Sequence, residues 1–283
     1  MLSDRVLHHL RGVVDIPDFS GTRYELMEEI GRGGMGVVYL AYDTVLNRNV
    51  ALKILHGSEE ARMLASLEHP GIVPVHDSGT LPDGRAYYAM KFVQGVRLDD
   101  YVSSTPPLAG RLRTFLRVCE PVAFAHARGL VHRDLKPENL MIGAFGEVLV
   151  MDWGVATRAD APPSSAAGTR GYMPPEQLQG IVNQRTDIYS LGKVLEYLLQ
   201  PGDPKQVRAI AMKASDPEPP RRYANVLELT EDVTHFLDGQ PVGAYPEPPL
   251  ERVARWISRK RTLVILMLTY VIVRSVIFFF TRR

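Results

Sequence analysis

The chain is poor in cysteine. Cys119 is the single one among 283 residues, so no intrachain disulfide forms and the disulfide-stapled secreted scaffolds are excluded. Charge of one sign is also lacking. With 33 basic against 32 acidic residues the formal net charge is +1, which gives no electrostatic argument for a nucleic-acid partner. The N-terminus has no sustained apolar run: Met1 to Asp18 carries Asp4, Arg5, His8, His9 and Arg11, and does not read as a secretion signal. Internal repeats are absent, and no Gly-Lys-Ser/Thr completes a P-loop. What is present is apolar content of 45%, ample for the core of one two-lobed domain or two modest ones. Cys119, in an apolar helix-like stretch, reads as a small core residue and not a nucleophile. The composition suits a reducing, cytosolic catalytic portion.

Residues 1–20 read as an N-terminal extension ending in turn-prone Pro17, Ser20 and Gly21. From Tyr24 to about Val93 the pattern is strand-rich, with Val37 to Leu40 and Val50 to Leu55 as short β-prone runs and Asp43 to Asn49 as a hairpin turn. Glu59 to Leu67 has helical periodicity, with Met63, Leu64 and Leu67 on one face. After Gly95 the chain turns mainly helical, with long periodic segments at Leu112 to Arg128 and Asp187 to Leu199. Val148 to Met151 reads as a short buried strand, Ala161 to Ala167 as a mobile loop, and the four prolines of Gln240 to Pro249 as a linker. A strand-rich first part before a helical second part predicts an α+β architecture of two lobes with a cleft between them.

Three motifs carry chemistry. Gly31-Arg32-Gly33-Gly34-Met35-Gly36 lets backbone N–H groups approach phosphate without Cβ obstruction. Dinucleotide-binding folds use the same spacing, but there the loop opens a helix. Here β-branched and aromatic residues follow at once, so the loop joins two strands. In the second motif, Val50-Ala51-Leu52-Lys53 places a lysine in an apolar strand. It reads either as a snorkelling surface lysine or, after such a loop, as a phosphate contact whose charge needs a partner, with Glu60 the best placed. The third, His132-Arg133-Asp134-Leu135-Lys136-Pro137-Glu138-Asn139, offers a carboxylate for a hydroxyl proton, a lysine for phosphate charge and an amide oxygen for a metal. Asp152-Trp153-Gly154 follows at the end of a buried strand, and the Asp152 carboxylate with the Asn139 carbonyl makes a hard-oxygen pair suited to Mg²⁺.

From Tyr24 to about Leu237 the set resembles the eukaryotic-type protein kinases, particularly the bacterial membrane-bound serine/threonine members. The resemblance implies a two-lobed kinase fold, with a small β-rich N-lobe, a larger helical C-lobe, and a domain spanning residues 21–238. It implies ATP and Mg²⁺ as cofactors and protein Ser/Thr hydroxyls as substrates. Gly31, Gly33 and Gly36 would cover the phosphates, and Lys53 would bind them and pair with Glu60. Asp134 would take the substrate proton, Lys136 would steady the γ-phosphoryl, and Asn139 and Asp152 would hold the metal. Met90 to Val93 would form the hinge with Met90 as gatekeeper, and Val38, Ala51 and Met141 would sandwich the adenine. Gly168 to Glu176 resembles the substrate-side loop, with Glu176 paired to Arg222 and Thr169 and Lys136 as serine/threonine markers. Asp187 would brace the catalytic loop while also capping its helix. Arg133 would pair with a phosphate on Ser164 or Ser165, after trans-autophosphorylation in a homodimer.

Departures from the pattern narrow these expectations. Trp153 replaces the usual Phe and should still pack against the regulatory helix. Six residues separate Lys53 from Glu60, so that helix has lost its first turns. Gln200 to Pro204 stands where the family has a further helix and long loop. The chain ends soon after its hydrophobic segment, where many relatives continue into an external sensor domain. A nucleotide-binding pseudokinase scaffold and a small-molecule kinase are the rival readings.

Residues 239–261 read as a Pro-rich, basic juxtamembrane linker and 262–280 as a transmembrane helix. The 19 residues from Thr262 to Phe280 span about 28 Å, one hydrocarbon core. Arg274 costs about 2.5–3.5 kcal/mol at mid-bilayer, against 13 Leu, Ile, Val and Phe residues returning roughly 0.3–0.6 each. Arg274 is expected to snorkel towards the far interface. Arg252, Arg255, Arg259, Lys260 and Arg261 precede the segment, and Arg282 and Arg283 follow it. That asymmetry predicts a single-pass protein of the cell membrane with a cytoplasmic kinase domain, touching lipid and no nucleic acid.

Overall fold

A computed structural model describes residues 17–33, 36–55, 63–104, 106–159, 168–249, 251–252 and 261–281. Five antiparallel strands form the first lobe: β1 (Tyr24–Gly33), β2 (Gly36–Asp43), β3 (Arg48–Leu55), β4 (Val75–Thr80) and β5 (Ala86–Lys91), in the order β1-β2-β3-β5-β4. The central strand β3 is buried continuously from Val50 to Leu55, as its unbroken apolar run requires, whereas edge strand β4 is nowhere fully buried. The glycine motif joins β1 to β2, with Gly33 opposite Gly36. Gly36 has φ +140°, and a Cβ there would lie 1.9 Å from the Ile54 carbonyl oxygen, so the neighbouring strand alone demands glycine. The end of the expected N-terminal extension belongs to this lobe, since Phe19 is buried with its ring 5.0 Å from that of Tyr87.

The second lobe is built on helices α1 (Leu98–Ser103), α2 (Leu108–Ala127), α3 (Pro175–Leu178), α4 (Gln184–Leu198), α5 (Lys205–Ala214) and α6 (Val226–Leu237). Two small sheets accompany them: β6 (Gly95–Arg97) with β8 (Leu140–Gly143) and β9 (Val148–Val150), and β7 (Leu130–Val131) with β10 (Thr157–Arg158). Helix α2 buries Leu112, Phe115, Cys119, Val122 and His126, a stripe at helical spacing. The Cys119 thiol is wholly buried, which raises its pKa well above the ordinary value and makes it inert packing. The lobes meet where the Val150 N–H donates to the Gly71 carbonyl at 2.8 Å beside the Ile72–Val150 bridge. Of the helix expected at Glu59 to Leu67, residues 63–65 are helical and Glu60 lies outside the described residues.

One expectation is corrected here. Asp187 does not cap its helix. Asn183 does, accepting from the Arg185 N–H at 2.8 Å, while the Asn183 N–H donates to the Thr186 hydroxyl at 3.1 Å. The short Gln200–Pro204 connection between α4 and α5 is held by Arg111 of α2. Its guanidinium donates to the Leu198 carbonyl and to both oxygens of Asp203, at 2.8 and 3.1 Å. The 239–261 segment is not free along its whole length. Val242 is 4% exposed, and the Asp232 carboxylate of α6 accepts from the Gly243 and Ala244 N–H groups at 2.7 and 3.0 Å and from the Tyr223 hydroxyl at 2.8 Å.

The last element, α7 (Arg261–Thr281), has 21 residues, and its described side chains are 265–275 and 277–278. Taken over the described residues alone, no helix is long and apolar enough to cross a membrane.

Candidate active site

Between the lobes lies a cavity of about 1040 Å³. Its walls bring together residues from distant strands: Gly31, Gly33, Gly36 and Val38 of β1 and β2, Ala51 and Lys53 of β3, and Met90 and Val93 at the end of β5. Asp134, Lys136, Asn139, Met141, Asp152 and Thr169 face them from the second lobe. The catalytic, nucleotide-binding and metal-binding residues expected from the sequence, apart from Glu60, therefore line one space. A second cavity of about 490 Å³, lined by Leu64, His69 and Leu149, holds none of these groups.

The catalytic loop is a web on Asp134. One of its oxygens, Oδ2, accepts from the Asn139 amide at 3.1 Å and lies 2.8 Å from the Lys136 ammonium. The other, Oδ1, is buried without a hydrogen-bond partner among the described residues. The Asn139 amide N–H₂ also donates to the Asp134 carbonyl at 2.9 Å, which fixes the amide plane and leaves its oxygen as the remaining acceptor. Lys136 reaches on to the Thr169 hydroxyl at 2.6 Å and so ties the catalytic loop to the substrate-side loop.

Two non-glycine residues of the site, Arg133 (φ 72°) and Asp152 (φ 55°), adopt the left-handed conformation, costing about 1–3 kcal/mol each. Asp187 holds the first of them in place. Fully buried on α4, its Oδ1 accepts from the Arg133 N–H at 2.9 Å, while Oδ2 accepts from the His132 N–H at 2.8 Å and contacts His126 Nε2 at 2.7 Å. Burial pushes the Asp187 carboxyl up, but the His126 hydrogen bond, the neighbouring imidazoles and the Arg133 N–H outweigh it and hold the carboxyl below its ordinary value. The same contest at Asp152, burial against the Lys53 ammonium 2.6 Å away, also ends below the ordinary value. Lys53, buried to 5% exposure, thus meets Asp152 across the cleft. Nothing in the sequence had linked Lys53 to Asp152.

Trp153 is 1% exposed, its ring 4.5 Å from that of His132 and its indole N–H donating to the Val150 carbonyl at 3.2 Å. Its bulk thus packs against the catalytic loop, with the two rings tilted by 58°. Glu176 and Arg222 form the expected pair, bidentate at 2.6 and 2.9 Å. Sequence reading missed Gln177, whose amide donates to the Arg133 carbonyl at 2.9 Å, and His126. A glutamine after a short Pro-Glu turn and a histidine on an apolar helix face carry no signal of their own. Gly168 belongs to the same junction: at φ +134° its Cβ would stand 2.8 Å from the Arg133 carbonyl oxygen. Ser164 and Ser165 lie outside the described residues.

The donor set fits Mg²⁺ nucleotide. Beside Gly33 a Cβ would meet nothing within 4 Å, and at Gly31 only Val38 at 3.9 Å, so the surrounding protein atoms do not demand glycine at either position. Among the described residues no cluster of three or more His, Cys, Asp or Glu could hold a metal unaided. One carboxylate and one amide oxygen, Asp152 and Asn139, suit a Mg²⁺ that keeps phosphate and water ligands.

A two-lobed fold with a glycine-roofed, lysine- and carboxylate-lined cleft defines a phosphoryl-transfer class of site. The chain matches the protein kinase domain family over residues 24–225 and belongs to that family. It is similar to the serine/threonine-protein kinase PknD of Chlamydia felis, at 33% identity over 77% of this chain and 31% of the relative. The PknD proteins of Chlamydia caviae (31% identical, 32% of the relative) and Protochlamydia amoebophila (30% identical, 30% of the relative) each match 77% of the chain. The chain spans about a third of the length of these curated relatives, 30–32%.

Proposed function

We propose that this chain is an ATP-dependent serine/threonine protein kinase, held at the membrane by one C-terminal span with its kinase domain in the cytoplasm. The observation that carries the reading is the asymmetry of Asp134. One oxygen is engaged by Lys136 and Asn139, and the other is a buried acceptor with no partner among the described residues. That is the arrangement a general base needs to orient a Ser or Thr hydroxyl and accept its proton. Lys136 neutralises charge developing on the transferred phosphoryl, and Thr169 keeps the lysine in register with the substrate-side loop. The loop of Gly31, Gly33 and Gly36 roofs the phosphates, and Lys53 binds them from below. Val38, Ala51 and Met141 enclose the adenine beside the Met90–Val93 hinge. Asn139 and Asp152 would hold Mg²⁺, which when bound supplies positive charge to the phosphate oxygens. Phosphoryl transfer passes through a loose transition state, so positioning and charge neutralisation supply nearly all the rate.

Incubation with labelled ATP and a generic basic protein tests this. Asp134→Asn should lower transfer by about a hundredfold or more while nucleotide binding changes little. Near-wild-type transfer by that variant would refute the assignment. Nucleotide binding with no transfer by the wild type would instead identify a pseudokinase scaffold.

The span is supported by the run from Thr262 to Phe280 lying within one continuous helix, Arg261–Thr281, where Ile265, Leu266, Leu268, Val271 and Ile272 are each more than half exposed. An apolar surface of that extent on every side of a helix belongs in hydrocarbon and not in water. Full-length protein should stay with membranes after carbonate extraction, and its release as a detergent-free monomer would rule out the anchor.

A further inference from the structure

The kinase chemistry makes no use of the Arg274–Tyr270 pair in α7. Arg274 Nη1 donates to the Tyr270 hydroxyl at 3.0 Å, one helical turn towards the N-terminus. This direction is the reverse of the snorkelling expected from the sequence. It follows from helix geometry, because Cα–Cβ bonds tilt towards the N-terminus and long side chains lie back over the preceding turn. The consequence is depth. Tyr270 stands near the middle of the Arg261–Thr281 helix, about 13 Å from one end and about 16 Å from the other. If α7 spans the bilayer, the guanidinium lies near mid-membrane, beyond an arginine's length from either headgroup layer.

We propose that Arg274 and Tyr270 form a recognition site for a carboxylate carried within the membrane by a helix of another protein. The proposal rests on the membrane-spanning reading above. The guanidinium carries five donors and no acceptor, and one donor is spent on the Tyr270 oxygen. Tyr270 in turn keeps its O–H to donate. What the pair presents is a full positive charge fringed by donors, and its complement is an anionic acceptor held in the same low-dielectric layer. A second copy of this helix does not supply one. No Asp or Glu follows Glu251 in the sequence, so a homodimer across this face would bring two arginines together. Thr269 is not a competing part of the site, since its hydroxyl is occupied by the Ile265 carbonyl at 2.9 Å.

The test co-expresses the full-length chain in bacterial membranes with a tagged synthetic Leu/Ala helix bearing a central Glu, Gln or Leu. Association is read by energy transfer in the membrane and by recovery in mild detergent. The Glu helix should be recovered roughly tenfold over the Leu helix, and Arg274→Leu should abolish that preference while Tyr270→Phe weakens it. Equal recovery of the Glu and Leu helices, or a preference that survives Arg274→Leu, overturns the proposal. So does self-association of the chain through position 274, which would assign the face to a second copy. So does binding that tracks the anionic lipid content of vesicles without distinguishing the helices, which would assign the charge to headgroups. Carbonate extraction of the same membranes separates the two layers of the argument. Extraction of the chain would refute the span itself, whereas a resistant chain without helix preference would refute the recognition site alone.

Discussion

Arg222 offers a severe test of the hydrogen-bond accounting, because all five of its donors have acceptors. Nε donates to the Asp216 carbonyl at 2.7 Å, Nη1 to Glu176 and to the Arg185 carbonyl at 2.6 and 2.8 Å, and Nη2 to Glu176 and to the Pro217 carbonyl at 2.9 and 3.2 Å. The side chain is 0% exposed and Glu176 10%. Arg222→Lys keeps the charge but has three donors on a point-like head, so at least two acceptors lose their partner. Each buried loss costs about 1–3 kcal/mol, and relief by local relaxation brings the expected total to about 2–4 kcal/mol. For a domain of this size that lowers Tm by about 5–15 °C. Arg222→Met should cost more, about 3–5 kcal/mol, because Glu176 is left as an uncompensated buried charge, and adding Glu176→Gln should restore part of the loss. Because Glu176 closes the substrate-side loop, KM for a protein substrate should rise more than KM for ATP. Thermal melts of the full-length chain in detergent and steady-state kinetics read both effects. A lysine variant melting within 1–2 °C of wild type, by the same conversion, with an unchanged substrate KM would show that the fork geometry contributes nothing.

Other outcomes follow from the same contacts. Asp187 has a folded pKa below its ordinary value of 3.8, so its stabilisation is complete above that value and is lost as pH falls through the folded pKa. Asp187→Asn should therefore flatten the acid side of the stability curve and lower kcat, and denaturation titrations from about pH 5 down to about pH 2 with parallel slopes for both proteins would contradict this. Arg111→Leu leaves Asp203, at 11% exposure, without its ion-pair partner and with only the Gln200 N–H on its carboxylate, and should destabilise by about 2–4 kcal/mol, with Asp203→Asn recovering part of it in the double variant.

The reach of the sequence followed the range of the interactions. The catalytic loop was legible because its chemistry confines a carboxylate, a lysine and an amide to a stretch of eight residues, His132 to Asn139, and side chains so close in sequence converge in any compact turn. Strand β3 was legible from its run of β-prone residues. Pairings across the fold were not. Lys53 finds Asp152, Arg111 finds Asp203 and His126 finds Asp187, each over more than 60 positions, and in none does either residue type select its partner. Turn chemistry carried no sign of a long-range contact in one place. The prolines of Gln240 to Pro249 signalled a linker, yet the Asp232 carboxylate satisfies two backbone N–H groups there and draws Val242 into the core.

The first two turns of α4 explain why the site survives a shortened second lobe. Between positions 185 and 190 this helix turns four polar groups onto its surroundings. The Arg185 carbonyl accepts from Arg222, the Thr186 hydroxyl completes the cap, the Asp187 carboxylate holds the His132 and Arg133 N–H groups, and the Ser190 hydroxyl donates to the Tyr172 carbonyl at 2.8 Å. Catalytic loop, substrate-side loop and the Arg222 turn are thus referenced to one rigid element, whose opposite end is pinned by Arg111 at Leu198. Buried polar groups of this kind are costly unless every one is satisfied, and satisfied they admit only one arrangement of the loops. The connection from Gln200 to Pro204 can be cut to a clamped turn because it carries none of these bonds to the catalytic or substrate-side loops. Its contribution is to hold α4 in place, and Arg111 does that together with Arg208, whose guanidinium donates to the Gln200 and Asp203 carbonyls.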